Sequence, residues 1–413
     1  MLGGALPELS SHSKEAMPQP LPTLDELLHD AARRADLEDF GDPWFRQPLS
    51  AWLSDLPHPR LSDAGRQVLI RAAGQELVKR LRVLDTLTSH PEIAEVELPP
   101  IILISGYVRS GTTLLHNLMA RHPGARALQR WELVRPTPPP RADSYQTDPR
   151  IARVQAAQDT LRGTLLERMH WINATDPEEC TWGSYDCTGI LGRGLSVATP
   201  AWSDWIVHHD LTPNFLGYRK LLQLLLWKCP APPGGHLLLK CPQTAWHIDQ
   251  FARVFPEARH VILHRDPRRS ITSAATLVRA NVQPVVDPDT FEWDHLGSST
   301  LEGAAHCYER LLAFDAAPPT HLVHVRYADL MADADAATRQ IYRQLDIPHA
   351  PVLTDRIRAY LESQRTGHRA APPPDYRVAG LGAELIEAEP TVGRYIDHFN
   401  IQPEAKRLTD TRT

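Results

Sequence analysis

The sequence predicts an α/β fold in three layers, α/β/α, built on a central parallel sheet with additional helices beyond it. Three observations carry this prediction. From residue 101 to residue 345, short aliphatic runs alternate with longer segments of helical periodicity, the order that builds a parallel sheet through right-handed crossovers. Glycine, proline or polar residues follow each aliphatic run, at the strand ends where such sheets bind ligands. The length, 413 residues, is enough to bury a large core in one big domain with a helical extension, or in two domains.

The elements follow in order. Residues 1 to about 20 are polar and proline-containing without periodicity, and read as disordered. Thr23 and Glu26 form a capping box ahead of Leu24, Leu27 and Leu28, which starts the first helix. A longer helix is expected over Ser62 to Leu87, with Val68, Leu69, Ala72, Leu77, Leu81 and Leu84 on one face. Ile101 to Ile104 is a buried strand ending at Ser105 and Gly106, and a helix follows Gly111 through Leu114, Leu115, Leu118 and Met119, stopping at His122 and Pro123. The segment 126–135 is short and ends at a proline run. Residues 150 to 230 read as helical and rich in aromatics, among them Trp171, Trp182, Tyr185, Trp202, Trp205, Phe215, Tyr218 and Trp227. Leu237 to Lys240, His260 to His264 and His321 to Tyr327 are further strands. Helices follow them through Trp246, Phe251 and Phe255, over 268–280, and from Asp333 to Leu345.

Composition excludes several function classes. A net charge of −6 argues against a general nucleic-acid binder. The five cysteines, Cys180, Cys187, Cys229, Cys241 and Cys307, form no CxxC pair and read as reduced thiols. No charged start with an apolar core marks a secretory signal, and the run Leu221 to Trp227 is too short to span a bilayer, so a cytoplasmic location with no stable membrane insertion is expected.

The chemistry concentrates in IILISGYVRSGTTLLHNLMARHP, residues 101–123. Strand, glycine-bounded loop and helix N-terminus together present backbone N–H groups and a partial positive charge to phosphate. Gly106 and Gly111 have the spacing of a Walker A loop, so the fold is P-loop-like. Thr112 and Thr113, however, replace the Lys and Ser/Thr that ATP and magnesium require, and the cation is Arg109 inside the loop. Such a loop suits a phosphate-bearing donor handled without the usual ATP machinery.

Four motifs stand at successive strand ends: GYVRSGTTL, LLLKCPQ, VILHRDPRRSITS and VRYADL. Together they resemble the sulfotransferase family that uses 3′-phosphoadenosine 5′-phosphosulfate (PAPS), and within it the bacterial PRSGTT-type branch, related to tyrosylprotein and trehalose sulfotransferases. The resemblance covers about residues 100 to 400. It implies a sulfotransferase domain over 98–400 with a helical acceptor-binding insertion at about 150–230, preceded by a helical extension over 1–97 and followed by a tail over 401–413. The additional helices would form the acceptor side.

By this resemblance the 5′-phosphosulfate lies in the loop of Gly106, Arg109, Ser110, Gly111, Thr112 and Thr113, with Arg109 on the sulfuryl and bridging oxygens. Arg265 and Ser273, eight residues apart, would grip the 3′-phosphate. An ion pair of Arg265 with Asp266 is the competing reading, and Arg268 and Arg269 read as solvated charges. Lys240 resembles the second catalytic cation and Tyr327 the adenine-contacting tyrosine. Transfer is expected in-line and without metal, because fixed cations stabilise the charge that develops on the leaving phosphate.

The acceptor hydroxyl needs a base, and burial can bring a glutamate into range. Glu132 stands where the branch carries its catalytic glutamate; its competing reading is an ion pair with Arg130 or Arg135. Glu178 and Glu179 in ATDPEEC are second candidates, against an acidic helix start, and His116 is a third. Three places depart from the pattern. Tyr107 and Val108 stand for a variable residue and proline. KCPQTAWH puts Thr244 near the branch's histidine, with His247 beyond. A C-terminal basic loop is matched only loosely by Arg365, Thr366, Gly367, His368 and Arg369. The expected partner is a small-molecule, lipid or sugar hydroxyl acceptor, and a homo-oligomer is compatible with the sequence. A P-loop small-molecule kinase and a non-catalytic nucleotide-binding protein are the competing classes.

Overall fold

The computed structural model describes residues 20–170, 172–186, 197–318, 321–348, 350–366 and 381–404. The expected disordered start, Trp171 and Cys187 lie outside them, as does the loop from Gly367. In chain order the helices and strands are α1 Leu24–Ala35, α2 Arg46–Asp55, α3 Asp63–Ser89, β1 Ile101–Gly106, α4 Thr112–Met119, β2 Ala125–Ala127, α5 Arg130–Val134, α6 Pro149–Asp159, α7 Leu165–Met169, α8 Pro200–His208 and α9 Thr212–Trp227. Then come β3 His236–Lys240, α10 Ile248–Val254, β4 Arg259–His264, α11 Pro267–Val282, α12 His295–Ala316, β5 Leu322–Arg326, α13 Tyr327–Ala332, α14 Ala334–Gln344, α15 Val352–Thr366, α16 Ala383–Ala388 and α17 Pro390–His398.

The five strands form one sheet in the order β2-β3-β1-β4-β5. β1 and β4 run parallel, from the Ile102–Arg259 pair to the Gly106–Leu263 pair. β4 and β5 run parallel from His260–Leu322 to His264–Arg326. Every residue of β1 is buried, as expected for a central strand whose two faces are both covered.

The chain folds as two compact units. The first comprises residues 1–100, 126–237 and 277–293. In it the capping box at Thr23 and Glu26 starts α1, and the Ser62 hydroxyl accepts from the Gly65 N–H at the start of α3. Trp131, Val154 and Ala174 form one of its apolar clusters, with Tyr145 and Ile151 against it. The second unit comprises residues 101–125, 238–276 and 294–413. Its core takes Ile101 to Ile104 and Val261 to Leu263 from the strands, and Leu115, Leu118 and Met119 from α4. β1 and β4 end side by side here, and the loops that follow them carry Arg109 and Arg265.

Several expectations need correction. Among the described residues the stretch 150–230 holds four separate α-helices, with Asn173 to Asp186 largely non-helical. The last strand stops at Arg326; Tyr327 opens α13, and Asp333 then caps α14 by accepting from the Ala336 N–H at 2.9 Å. Helices α2, α12, α16 and α17 are not announced by any sequence pattern described above.

Candidate active site

The loop after β1 adopts a conformation that restricts which residues it can hold. Gly106 has φ +135° and Gly111 φ +101°. A Cβ on Gly106 would lie 2.4 Å from the Leu263 carbonyl oxygen, and one on Gly111 would lie 2.7 Å from the Tyr327 ring. Both positions therefore need glycine for the backbone angle and for the close approach. Between them Arg109 takes φ +69°, rare for a residue with a Cβ and characteristic of functional turns.

This geometry turns the loop toward the residues after β4. Arg109 Nε donates to Ser273 Oγ at 3.0 Å, and Arg265 Nη1 donates to the Arg109 carbonyl at 2.9 Å. The Arg265 guanidinium lies over the Tyr327 ring, 4.3 Å from its centre. Lys240, fully buried at the end of β3, donates to Thr113 Oγ1 at 3.4 Å. Ser110 is 1% exposed, and its hydroxyl has no hydrogen-bond partner among the described residues. A buried hydroxyl costs free energy when it has no hydrogen-bond partner. Thus Arg109, Ser110, Gly111, Thr112, Thr113, Lys240, Arg265, Ser273 and Tyr327 all belong to the second unit. His116 is buried within α4, one turn into the helix.

Two ion pairs differ from expectation. Arg265 leaves Asp266 and pairs with Glu404, Nε to Oε1 at 2.6 Å and Nη2 to Oε2 at 3.0 Å. Asp266 is taken by Arg268 at 2.8 Å, which also reaches Glu387 at 2.9 Å, so Arg268 is paired rather than solvated. No motif announces Glu404, which lies far from Arg265 in sequence.

The candidate carboxylate bases Glu132, Glu178 and Glu179 lie in the first unit, whereas His116 lies in the second. Glu132 is fully buried: Arg126 binds both its oxygens, at 2.8 and 2.6 Å, and Oε1 also accepts from Tyr145 Oη at 2.5 Å and the Gln129 N–H at 2.8 Å. Its partner is Arg126, not the neighbouring Arg130 or Arg135. Burial and the Glu132 charge raise the Tyr145 hydroxyl above its usual range. For Arg126, burial alone would lower the guanidinium, and Glu132 more than reverses it. Glu178 is also buried, accepting from the Glu179 N–H at 2.7 Å and from Arg130 Nη1 at 3.5 Å. Burial lowers the Arg130 guanidinium, whose face lies 4.0 Å from the centre of the Trp182 ring. Glu179 is half-buried, and His170, Glu178 and Glu179 bring a nitrogen or oxygen each to within 4.8 Å of one another. The acidic pair precedes a single 3-10 turn, Cys180–Trp182, rather than an α-helix. Thr244 and His247 are both buried in the 3-10 segment after β3.

Residues 100–351 match the model of the sulfotransferase family, described as Sulfotransfer_3. The chain belongs to the sulfotransferase family. This sulfotransferase is 23% identical over 298 residues to omega-hydroxy-beta-dihydromenaquinone-9 sulfotransferase Stf3 of Mycobacterium bovis and of Mycobacterium tuberculosis, covering 70% of this chain and 71% of each relative. Its fold is similar to that of the crystal structure of sulfotransferase STF9 from Mycobacterium avium, with a TM-score of 0.84 and 25% identity over 94% of this chain and 99% of that one. Sulfotransferase STF1 from Mycobacterium tuberculosis shares the fold at a TM-score of 0.77 and 22% identity, over 89% of this chain and 98% of that one. This sulfotransferase is a transferase enzyme with an α/β fold, and among its described residues no helix is long and apolar enough to cross a membrane.

Proposed function

We propose that this sulfotransferase moves a sulfuryl group from PAPS to a hydroxyl of a small-molecule, lipid or sugar acceptor, without a metal. The observation that carries the donor assignment is the buried Ser110 hydroxyl, without a hydrogen-bond partner among the described residues, inside a loop of forced left-handed turns, with Arg109, Arg265 and Ser273 tied together beside it. The 5′-phosphosulfate fits the loop and the N-terminus of α4; the 3′-phosphate fits Arg265 and Ser273; adenine fits Tyr327. As the acceptor oxygen attacks sulfur, the bond from sulfur to the bridging oxygen breaks and charge collects on the leaving phosphate. Arg109 and Lys240 are the cations assigned to that charge. A kinase reading lacks the loop lysine, since Thr112 holds its place.

The proton of the acceptor goes to a glutamate. Glu132 fills its lone pairs with Arg126, Tyr145 and the Gln129 N–H and has no surface open to an acceptor. The half-buried Glu179, with Glu178 and His170 beside it, fits the role better. A relative that bears the name of a hydroxylated menaquinone sulfotransferase supports an apolar alcohol as the acceptor class to try first.

The test is thermal unfolding with adenosine 3′,5′-bisphosphate against ATP and magnesium. At a hundredfold excess over Kd the bisphosphate should add about 2.7 kcal/mol to the parent, and Arg265→Ala should abolish the shift. A response to ATP with magnesium alone would replace this reading with the kinase. In the activity assay Glu179→Gln should lose at least about a hundredfold in kcat with an unchanged melting temperature.

A further inference from the structure

We propose that Glu404 is an internal competitor for the donor's 3′-phosphate: its carboxylate occupies Arg265 and must leave when the donor enters. The inference rests on the assignment of Arg265 to that phosphate. Arg265 is fixed on two sides. Its Nη1 donates to the Arg109 carbonyl at 2.9 Å, and its face lies on the Tyr327 ring at 4.3 Å. What remains is the edge formed by Nε and Nη2, the fork a guanidinium offers to a two-oxygen anion. Glu404 fills that fork with both oxygens, at 2.6 and 3.0 Å. Carboxylate and phosphate present matching oxygen pairs, so one edge holds one or the other.

The chain around Glu404 is built to deliver it. After α17, Asn400 turns at φ +50°, and Ile401 is buried at 7% exposure. The Glu404 N–H then donates to Asp266 Oδ2 at 2.9 Å, beside the arginine that its side chain binds. Asp266 is held in turn by Arg268. The backbone is thereby anchored independently of the ion pair, while the Glu404 and Arg265 side chains keep 25% and 14% of their surface open to solvent. The carboxylate can swing away without unfolding its own anchor. Donor and product then exchange by substitution at Arg265. Entry of the 3′-phosphate displaces the carboxylate, and return of the carboxylate helps the spent nucleotide leave.

Isothermal titration of the full-length protein with adenosine 3′,5′-bisphosphate, and separately with adenosine 5′-monophosphate, tests this. Glu404→Gln should tighten the bisphosphate by about three- to thirtyfold, because a neutral amide competes less well for the fork, and should leave the monophosphate within about twofold because it has no 3′-phosphate to place there. Glu404→Ala should act in the same direction, and ligand-free melting curves confirm that each variant folds. Unchanged or weaker bisphosphate binding in both variants overturns the proposal and makes Glu404 a positioning residue or a bystander. Equal tightening of both nucleotides overturns it as well. A parent that binds no bisphosphate overturns the donor assignment, and this proposal with it.

Discussion

At the scale of single residues, two candidate glutamates differ in environment, Glu132 being fully buried and Glu179 half-buried. Glu132 faces Arg126 in a fully buried pair, so Glu132→Gln leaves a guanidinium charge uncompensated in the first unit. We expect that variant to lose about 3 kcal/mol in urea denaturation, a loss that Glu179→Gln should not share. Gly111→Ala makes a second prediction. The added methyl would meet the Tyr327 ring at 2.7 Å with φ at +101°, so the loop must distort. Affinity for adenosine 3′,5′-bisphosphate should fall by about five- to a hundredfold in titration, for a strain of about 1–3 kcal/mol. The loop residues are legible in the sequence because their conformation is set locally: Gly106, Ser110 and Gly111 define a turn within a few positions of one another. Arg265 and Ser273 stand on elements that the sequence announces, one just past a strand end and the other on the helix that follows. The pairings Arg126–Glu132 and Arg265–Glu404 are not. Each depends on which side chain the tertiary fold brings opposite a guanidinium, and no spacing rule encodes that.

At the scale of elements, legibility follows the strength of the local pattern. β1, β3 and β4 are continuous aliphatic runs whose ends the sequence places within two residues, as it does the capped starts of α1 and α3. α12 escapes sequence reasoning although it is 22 residues long. Its sequence carries Gly297, Ser298, Ser299, Thr300 and Gly303, which have weak helical propensity, and the element exists because one face is covered. Leu296, Thr300, Ala304, Cys307, Tyr308, Leu311 and Phe314 are its buried stripe, spaced three or four residues apart for the most part. Within the second unit that stripe packs on α17 and on the 3-10 segment after β3, and the stack of Tyr308 on Tyr395, with ring centres 4.0 Å apart, is part of the contact. Since packing rather than propensity forms α12, removing packing should cost heavily. Leu311→Ala should destabilise the protein by about 2–5 kcal/mol in urea denaturation, whereas Gly303→Ala, whose added methyl meets nothing within 4 Å, should be neutral or stabilising.

At the scale of the whole molecule, acid sensitivity is the sum of buried groups that titrate in opposite senses. His260 is fully buried in β4 between Phe251 and Phe314, with no hydrogen-bond partner for either ring nitrogen among the described residues, and burial lowers it to about 4. Well above pH 6.5 it is neutral whether the chain is folded or not. As the pH falls from 6.5 toward 4 the unfolded chain takes a proton that the folded one refuses, so stability is lost. Asp186 works the other way. Burial raises it to about 6 despite Arg80 beside it. Between pH 6 and 3.8 the folded chain takes the proton first, and stability is gained as the pH falls. Burial also lowers His264, with the charges of His324 and His398 adding to it, and raises Glu76 and Asp55, so each direction has further members. Single variants separate the two senses. A one-proton difference between the folded and unfolded chains changes stability by about 1.36 kcal/mol for each pH unit over which it persists. Between about pH 7 and pH 5, His260→Leu should therefore lose about 2 kcal/mol less stability than the parent, and Asp186→Asn about 1 kcal/mol more. Urea denaturation at the two pH values measures both differences. If the two variants shift the acid side in the same direction, these burial assignments are wrong.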